Sequence, residues 1–522
     1  MHERTGLGSP AVSGPLPGAP TPPIAIDGGA AGATGHLTAT RVEVPADVVA
    51  RLESACAAVS TDPATLAETS RDWWPLAMCW ATTGEVAALA DVVCTPGSAA
   101  EVAAVLAVCN TARIPVTAAA GRSGVLGGSV PVHGGVVLDL TGLNGIRDVD
   151  ATSLVLDVQA GTFGTALEAT LAADHGVTVG HWPQSVDLST VGGWLACRGA
   201  GQLSGRYGKI EDIVIGLDVT LADGRQITTG GAPRQAVGPD LNQLFVGSEG
   251  TLGIITGARL RLHHAPAHTG KTAWGFPSFE TALDAQRLIV QRGAHPAVLR
   301  TYDPTEAARS FHTPEGVALL LAHDEGDEAV VELTLRLVDD VCSHLDGDGE
   351  VDDDLVDQWM GKRNDVAALE ALISRGYVVD TMEVAGRWRD LPGIYASTVE
   401  ALLSVPGTIA ASAHQSHSYP DGACLYFTFA GQVGSEGAGS STAEERTSYH
   451  VALWDAGQRA ALAGGAALSH HHGVGLARSR YVAEAMGPAF DVLVAVKAAL
   501  DPNGILNPGK LGLPSPWGPV DW

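Results

Sequence analysis

The chain is poor in positive charge, with 31 lysines and arginines against 58 acidic residues and a net charge of −27 over 522 residues. A field of that sign repels nucleic-acid phosphates, which excludes nucleic acid as a bulk partner, and it weakens attraction to anionic headgroups. A small anionic substrate in a locally positive pocket is still compatible with it. Cysteine is scarce too. The seven present are an odd number without CxxC spacing, so they indicate no disulfide framework but buried thiols in a reducing compartment. No apolar run approaches the roughly 20 residues that span a bilayer. The first 35 residues lack the basic and apolar regions of a secretory signal. A soluble cytoplasmic protein is expected, with membrane contact left open.

What is present is globular: 45% hydrophobic and 17% charged residues, in a length that favours two or three domains. Residues 1–45 are rich in Gly, Pro and Ala and are expected to be largely disordered. From Asp91, strand and helix alternate. VVCTP reads as a strand, SAAEVAAVLAVCNTA as a helix capped by Ser98, and IPVTAAA as a second strand. Asp223-Gly224 between two apolar runs signals a hairpin. An α+β domain over 46–265 is followed by HHAPAHTG (263–270), read as a linker, a second α+β region over 266–450, and a C-terminal segment over 451–522. The acidic run DGDGEVDDDLVD reads as a solvated loop or helix start, and 431–445 as a flexible insertion.

The chemistry begins at AAAGRSGVLGG (118–128), a glycine loop just after a strand. Its backbone N–H groups can form a nest for phosphate oxygens, although it is not the G-x-G-x-x-G of a nicotinamide fold. A richer array follows: GHWPQSVDLSTVGGWLACR (180–198), YGKIED (207–212) and FVGSEGTLGII (245–255). So many small and hydroxylated residues suit a long ligand laid against the backbone.

This array, with SYPDGACLYFTF (418–429), LSHHHGVG (468–475) and DPNGILNPGK (501–510), resembles the vanillyl-alcohol oxidase / p-cresol methylhydroxylase superfamily. Within it, the alkyldihydroxyacetone-phosphate synthase group is most similar, over roughly residues 70–515. The resemblance implies an α+β fold: a two-subdomain FAD-binding domain of the vanillyl-alcohol oxidase type (46–265) plus an α+β substrate cap domain (266–450), with 451–522 returning to the FAD site. It also implies the FAD contacts. Thr117, Ala118, Ala119, Ala120, Gly121, Arg122 and Ser123 would hold the pyrophosphate. Gln184, Ser185, Val186, Asp187, Leu188, Ser189 and Thr190, with Ala196, Cys197 and Arg198, would hold the flavin and ribityl chain. Glu249, Gly250, Thr251, Leu252, Gly253, Ile254 and Ile255 would hold the adenine side. The histidine used elsewhere for covalent attachment is replaced by Arg122-Ser-Gly-Val-Leu126, so FAD is expected to be noncovalent.

By the same resemblance Tyr426, His470, His471 and His472 are active-site residues, and Arg300 meets an anionic substrate. In an extended segment His470 and His472 would share a face with His471 opposite, and His414 and His417 could join them in a metal site. A related metal-dependent group has Asp-Gly-Asn-x-His and Glu-His-Gly. Here the second histidine is absent and His471 stands for the glutamate, so no metal is expected. A second arginine common in the synthase group is replaced by Leu369, with Arg363 and Arg375 nearby but displaced. Two activities follow as expectations: exchange of acyl for alkyl on a dihydroxyacetone-phosphate-type substrate, or oxidation of a 2-hydroxy acid or alcohol. A homodimer is a further expectation.

Overall fold

The computed structural model describes residues 14–345, 349–365, 367–434 and 441–520. The cofactor-side region holds two sheets. In the first, Val92–Cys94, Val136–Asp139 and Val116–Ala119 run parallel, with Val59–Ser60 antiparallel at one edge. Val136, Val137 and Leu138 are fully buried, as befits parallel strands covered on both faces. Helix Ala99–Ala112 makes one crossover. The Ser98 hydroxyl accepts from the Glu101 N–H at 3.2 Å, and Arg113 ends the helix in the left-handed region at φ 54°.

The second sheet is antiparallel, in the order Gln226–Gly230, Val214–Thr220, Ile254–Arg261, Val155–Gln159 and Ile146–Asp150. Its first pair is the hairpin expected at Asp223-Gly224, where Gly224 takes φ 86°. Helices Gly164–His175 and Val191–Cys197 contribute Leu167, Leu171, Trp194 and Leu195 to the same core.

The cap is a seven-stranded antiparallel sheet in the order Gly349–Glu350, His268–Phe276, Ala318–Gly326, Val298–Tyr302, Thr408–Ser418, Gly422–Gly431 and Val378–Arg387. Strand alternation sorts its residues. Leu425, Phe427 and Phe429 join a core with Ile289, Val338, Leu402 and Trp454 from helices Phe279–Gln291, Glu328–His344, Leu391–Ser404 and Ala443–Ala463. Tyr426 and Thr428 point the other way, into a cavity.

Three expectations shift. Residues 14–45 are tied down: Ile24 and Ile26 are buried, the Trp73 indole donates to the Thr21 carbonyl at 3.1 Å, and Thr34–Gly35 pairs with Glu85–Val86. A few anchored apolar side chains outweigh a composition otherwise suited to disorder. The stretch 263–270 is no free linker, because His263–His264 pairs with Val177–Thr178 and the first cap strand starts at His268. Helix Ala443–Ala463 crosses the expected boundary at 450 and packs on the cap sheet, so the return begins near residue 464. There the chain crosses back, and Ile505 and Asn507 flank Val116 through backbone bonds of 2.8 Å. Of the expected insertion, 435–440 lies outside the described residues. In the acidic run, 346–348 also lies outside them, and helix Asp354–Lys362 closes it.

Candidate active site

A cavity of about 810 Å3 runs from the glycine loop to the cap sheet. Of the residues expected to hold the cofactor, Ala118, Ala119, Ala120, Gly121, Arg122, Ser123, Gln184, Ser185, Leu188, Ser189, Thr190, Ala196, Cys197, Glu249, Gly250, Gly253, Ile254 and Ile255 line it. The others support them from behind. Thr117 and Leu252 are buried, Asp187 accepts from the Thr165 hydroxyl, the Arg198 guanidinium donates to the Gln243 amide oxygen, and the Thr251 hydroxyl donates to the Ser248 carbonyl at 2.7 Å. Val186 packs beside Gly164, where a Cβ would come within 2.8 Å of its methyl.

The cradle fits a long dinucleotide. Its wall is backbone at Gly121, Gly193, Gly250 and Gly253, and its volume lies in the range of cofactor sites. Of these four Gly121 is the tightest, for a Cβ there would stand 2.2 Å from the Leu188 carbonyl oxygen. Gly121→Val is therefore expected to push the two walls apart and yield protein with little bound flavin. The flavin-to-protein absorbance ratio of the purified variant checks this, and a normal ratio refutes it.

Facing the cradle, four residues stand in register across the cap sheet: Tyr302 opposite His414, His414 opposite Tyr426, and Tyr426 opposite Glu383. Directly opposed residues share a face, so this row is fixed by strand pairing. His414 stacks on Tyr426 with ring centroids 4.7 Å apart and donates from Nδ1 to the Glu306 carboxylate Oε1 at 2.9 Å. The Tyr426 hydroxyl donates to Thr381 Oγ1 at 3.0 Å. Burial raises the Tyr426 phenol far above its ordinary value, so it stays protonated.

Arg300 is 7% exposed and lines the cavity. Its Nε donates to the Tyr302 hydroxyl at 3.1 Å, and its guanidinium lies 5.0 Å from the Trp359 ring centre. Among the described residues it forms no ion pair within 4.0 Å.

The histidine loop departs from the extended geometry expected of it. Gly473 and Gly475 take φ 81° and 53°, and His471 and His472 both line the cavity whereas His470 does not. His470 turns away to the Tyr419 hydroxyl, 2.8 Å from its Nε2, and its Nδ1 lies 2.9 Å from His471 Nδ1. His472 meets Tyr426 edge-on at 5.4 Å. The imidazoles that come within mutual metal-ligand range, 4.8 Å, are His417, His470 and His471, not the expected pair of His470 and His472. All three are already engaged, His417 with Ser204 Oγ at 2.7 Å, His470 through both nitrogens and His471 through Nδ1.

Burial, reinforced by Lys209 and neighbouring imidazoles, pushes His417, His470 and His471 well below the ordinary value. Burial also lowers His414 and His472, with Glu306 and Glu383 opposing. The folded protein thus keeps these rings neutral while the unfolded chain protonates them below about pH 6.5. More protons bound by the unfolded state means stability that is complete above that pH and lost as pH falls. The urea midpoint is expected to drop between about pH 7.5 and 5.5, with proton uptake on unfolding. A flat midpoint refutes it.

Residues 90–230 match the family described as FAD binding domain, and 265–511 the family described as FAD linked oxidases, C-terminal domain. The chain is 30% identical over 427 residues to the uncharacterized FAD-linked oxidoreductase YgcU of Escherichia coli (strain K12), covering 80% of this chain and 87% of that one. The chain belongs to the FAD-linked oxidoreductase family. Its cofactor is FAD. It is 28% identical over 468 residues to alkyldihydroxyacetonephosphate synthase of Dictyostelium discoideum, covering 82% and 74%, and 27% identical over 452 residues to glycolate oxidase subunit GlcD of Bacillus subtilis (strain 168), covering 82% and 90%. The fold is that of solved alkyldihydroxyacetonephosphate synthase (TM-score 0.73, 24% identity, 95% of this chain and 90% of that) and of p-cresol methylhydroxylase (TM-score 0.73, 19% identity, 91% and 99%). No helix among the described residues is long and apolar enough to cross a membrane.

Several site residues carry no motif that announces them. Glu306 and His414 are 108 positions apart in sequence, and nothing local marks the pair. Glu383 had a faint signal, a carboxylate in the apolar strand Val378–Arg387 whose alternate residues Met382 and Val384 are core.

Proposed function

We propose that this FAD-linked enzyme oxidises a small anionic hydroxy compound of the 2-hydroxy-acid type. The observation that carries the reading is Arg300, a nearly buried guanidinium without a carboxylate partner among the described residues, aimed into the cavity that His471 and His472 also line. A buried cation of that kind is stabilised by a ligand anion, and arginine suits carboxylate geometry. The Trp359 and Tyr302 rings hold the guanidinium in place, so a carboxylate seated there is oriented. His472 is neutral and accepts the substrate's hydroxyl proton. Tyr426, protonated and anchored on Thr381, offers a hydrogen-bonding edge beside it. FAD, when bound, supplies the two-electron acceptor. It is held noncovalently on this reading, because Arg122-Ser-Gly-Val-Leu126 contains no nucleophilic histidine.

A second reading, exchange of acyl for alkyl on a dihydroxyacetone-phosphate-type substrate, is favoured by the shared histidine run and Tyr426. Leu369 weighs against it, since it lines the cavity at a position where that group commonly carries an arginine. Arg363 also lines it, but its Nη1 donates to Gln202 Oε1 at 3.0 Å. Anaerobic mixing with D-lactate or glycolate is the test. Persistent loss of oxidised-flavin absorbance supports oxidation. An unchanged flavin with fatty-acid release from acyl-dihydroxyacetone phosphate supports exchange instead.

A further inference from the structure

We propose that Glu383 is the positioning residue of the histidine loop: its carboxylate fixes the backbone of Ser469–His472 and holds the His472 imidazole with its proton on Nδ1, leaving Nε2 to take the substrate proton. The second half rests on the reading of His472 as proton acceptor given above. The first half rests on geometry alone.

Glu383 is fully buried on the cap sheet, directly opposite Tyr426. Its Oε1 accepts from Ser469 Oγ at 2.9 Å, from the His472 N–H at 2.7 Å and from Arg478 Nη1 at 2.8 Å, and its Oε2 accepts from the His470 N–H at 2.6 Å. Four donors on one carboxylate is near its full acceptor capacity. Arg478, also fully buried, donates from Nη2 to the Glu383 carbonyl at 2.7 Å and from Nη1 to the Gly473 carbonyl at 3.0 Å, closing the loop onto the strand. Farther along, Glu249 accepts from the Val474 N–H at 2.5 Å and from the Gly475 N–H at 2.8 Å. Two carboxylates thus clamp the loop, the buried Glu383 from the cap and the half-buried Glu249 from the FAD-binding region.

The imidazole of His472 completes the argument. Its Nδ1 lies 3.7 Å from Glu383 Oε1 and has no hydrogen-bond partner. A neutral ring carries one proton, and the carboxylate favours it on the nitrogen that faces it. The charged or titratable groups around the ring are Glu383 and Asp380 on one strand, Tyr426 on the next, His417 on the strand beyond it, and His470, His471 and Arg478 on its own segment. Of these, Glu383 faces Nδ1 at 3.7 Å and stabilises the imidazolium as it forms, the role a buried carboxylate plays behind a catalytic histidine.

The test needs no substrate. FAD-loaded protein is labelled with 15N-histidine, and His472 is assigned among the 18 histidines by difference from His472→Ala. Protonation at Nδ1 is expected, shifting toward Nε2 in Glu383→Gln while flavin absorbance is retained. Protonation of His472 at Nε2 in the unaltered protein overturns the proposal, even where Glu383→Gln fails to accumulate. In turnover with D-lactate, Glu383→Gln is expected to lower kcat by roughly tenfold or more, to leave KM unchanged, and to move the acid limb of the pH profile to lower pH. An unmoved limb in flavin-loaded variant overturns it too. If the Nδ1 tautomer is found but His472→Ala keeps full turnover, the proton-acceptor reading fails and the positioning of the loop by Glu383 stands.

Discussion

His472→Ala is expected to retain FAD and lose turnover with D-lactate by about 10²–10⁴-fold, the range for removing a general base. The geometry makes this a clean substitution. The loop is held to Glu383 by the His472 backbone N–H, which alanine keeps, and not by the ring. The cradle for FAD is built from other segments, so flavin content should not follow activity down. The measurement is anaerobic flavin reduction by stopped flow, alongside the flavin-to-protein ratio. Reduction at the unaltered rate would remove His472 from the chemistry and shift attention to His414, whose Nδ1 is taken by Glu306 and whose ring also lines the cavity.

Arg300→Met is expected to weaken binding of a carboxylate ligand by roughly 10- to 100-fold, since a hydrogen bond to a charged group contributes about 1.5–3 kcal/mol. Methionine keeps much of the apolar stem against Tyr302 and Trp359, so the loss reports the guanidinium more than the packing. The effect should fall on KM, or on the dissociation constant of a competing carboxylate read from the flavin spectrum. Arg300→Lys should recover only part of it, because an ammonium cannot pair bidentately. Equal affinity in Arg300→Met would sink the assignment of this residue to the substrate anion.

Local signals located much of this protein. The Asp223-Gly224 turn, the Ser98 cap and the alternating strands around Val116 and Val136 follow from short-range backbone preferences, which act on the residues that carry them. The glycine array was equally legible, because a wall of backbone can only be written with residues that lack a Cβ or carry a small one. Residues 14–45 carry no such signal, for the converse reason. Their anchors, Ile24, Thr21 and Asp27, are few, and the groups that meet them, Arg71, Trp73 and Ala81, lie far along the chain.

The division falls between what a residue does alone and what it does in company. Residue identity announced a flavin cradle, a histidine run and a tyrosine strand. It could not say which histidines face the cavity, since that depends on Gly473 and Gly475 bending the loop and on Glu383, from a distant strand, and Glu249, from a distant turn, gripping its N–H groups. Nor could it reveal the row Tyr302, His414, Tyr426 and Glu383, which exists only through cross-strand register. Hydrogen bonds to a buried carboxylate require three-dimensional closure of the sheet, and periodicity along one chain carries no record of which strand lies beside which.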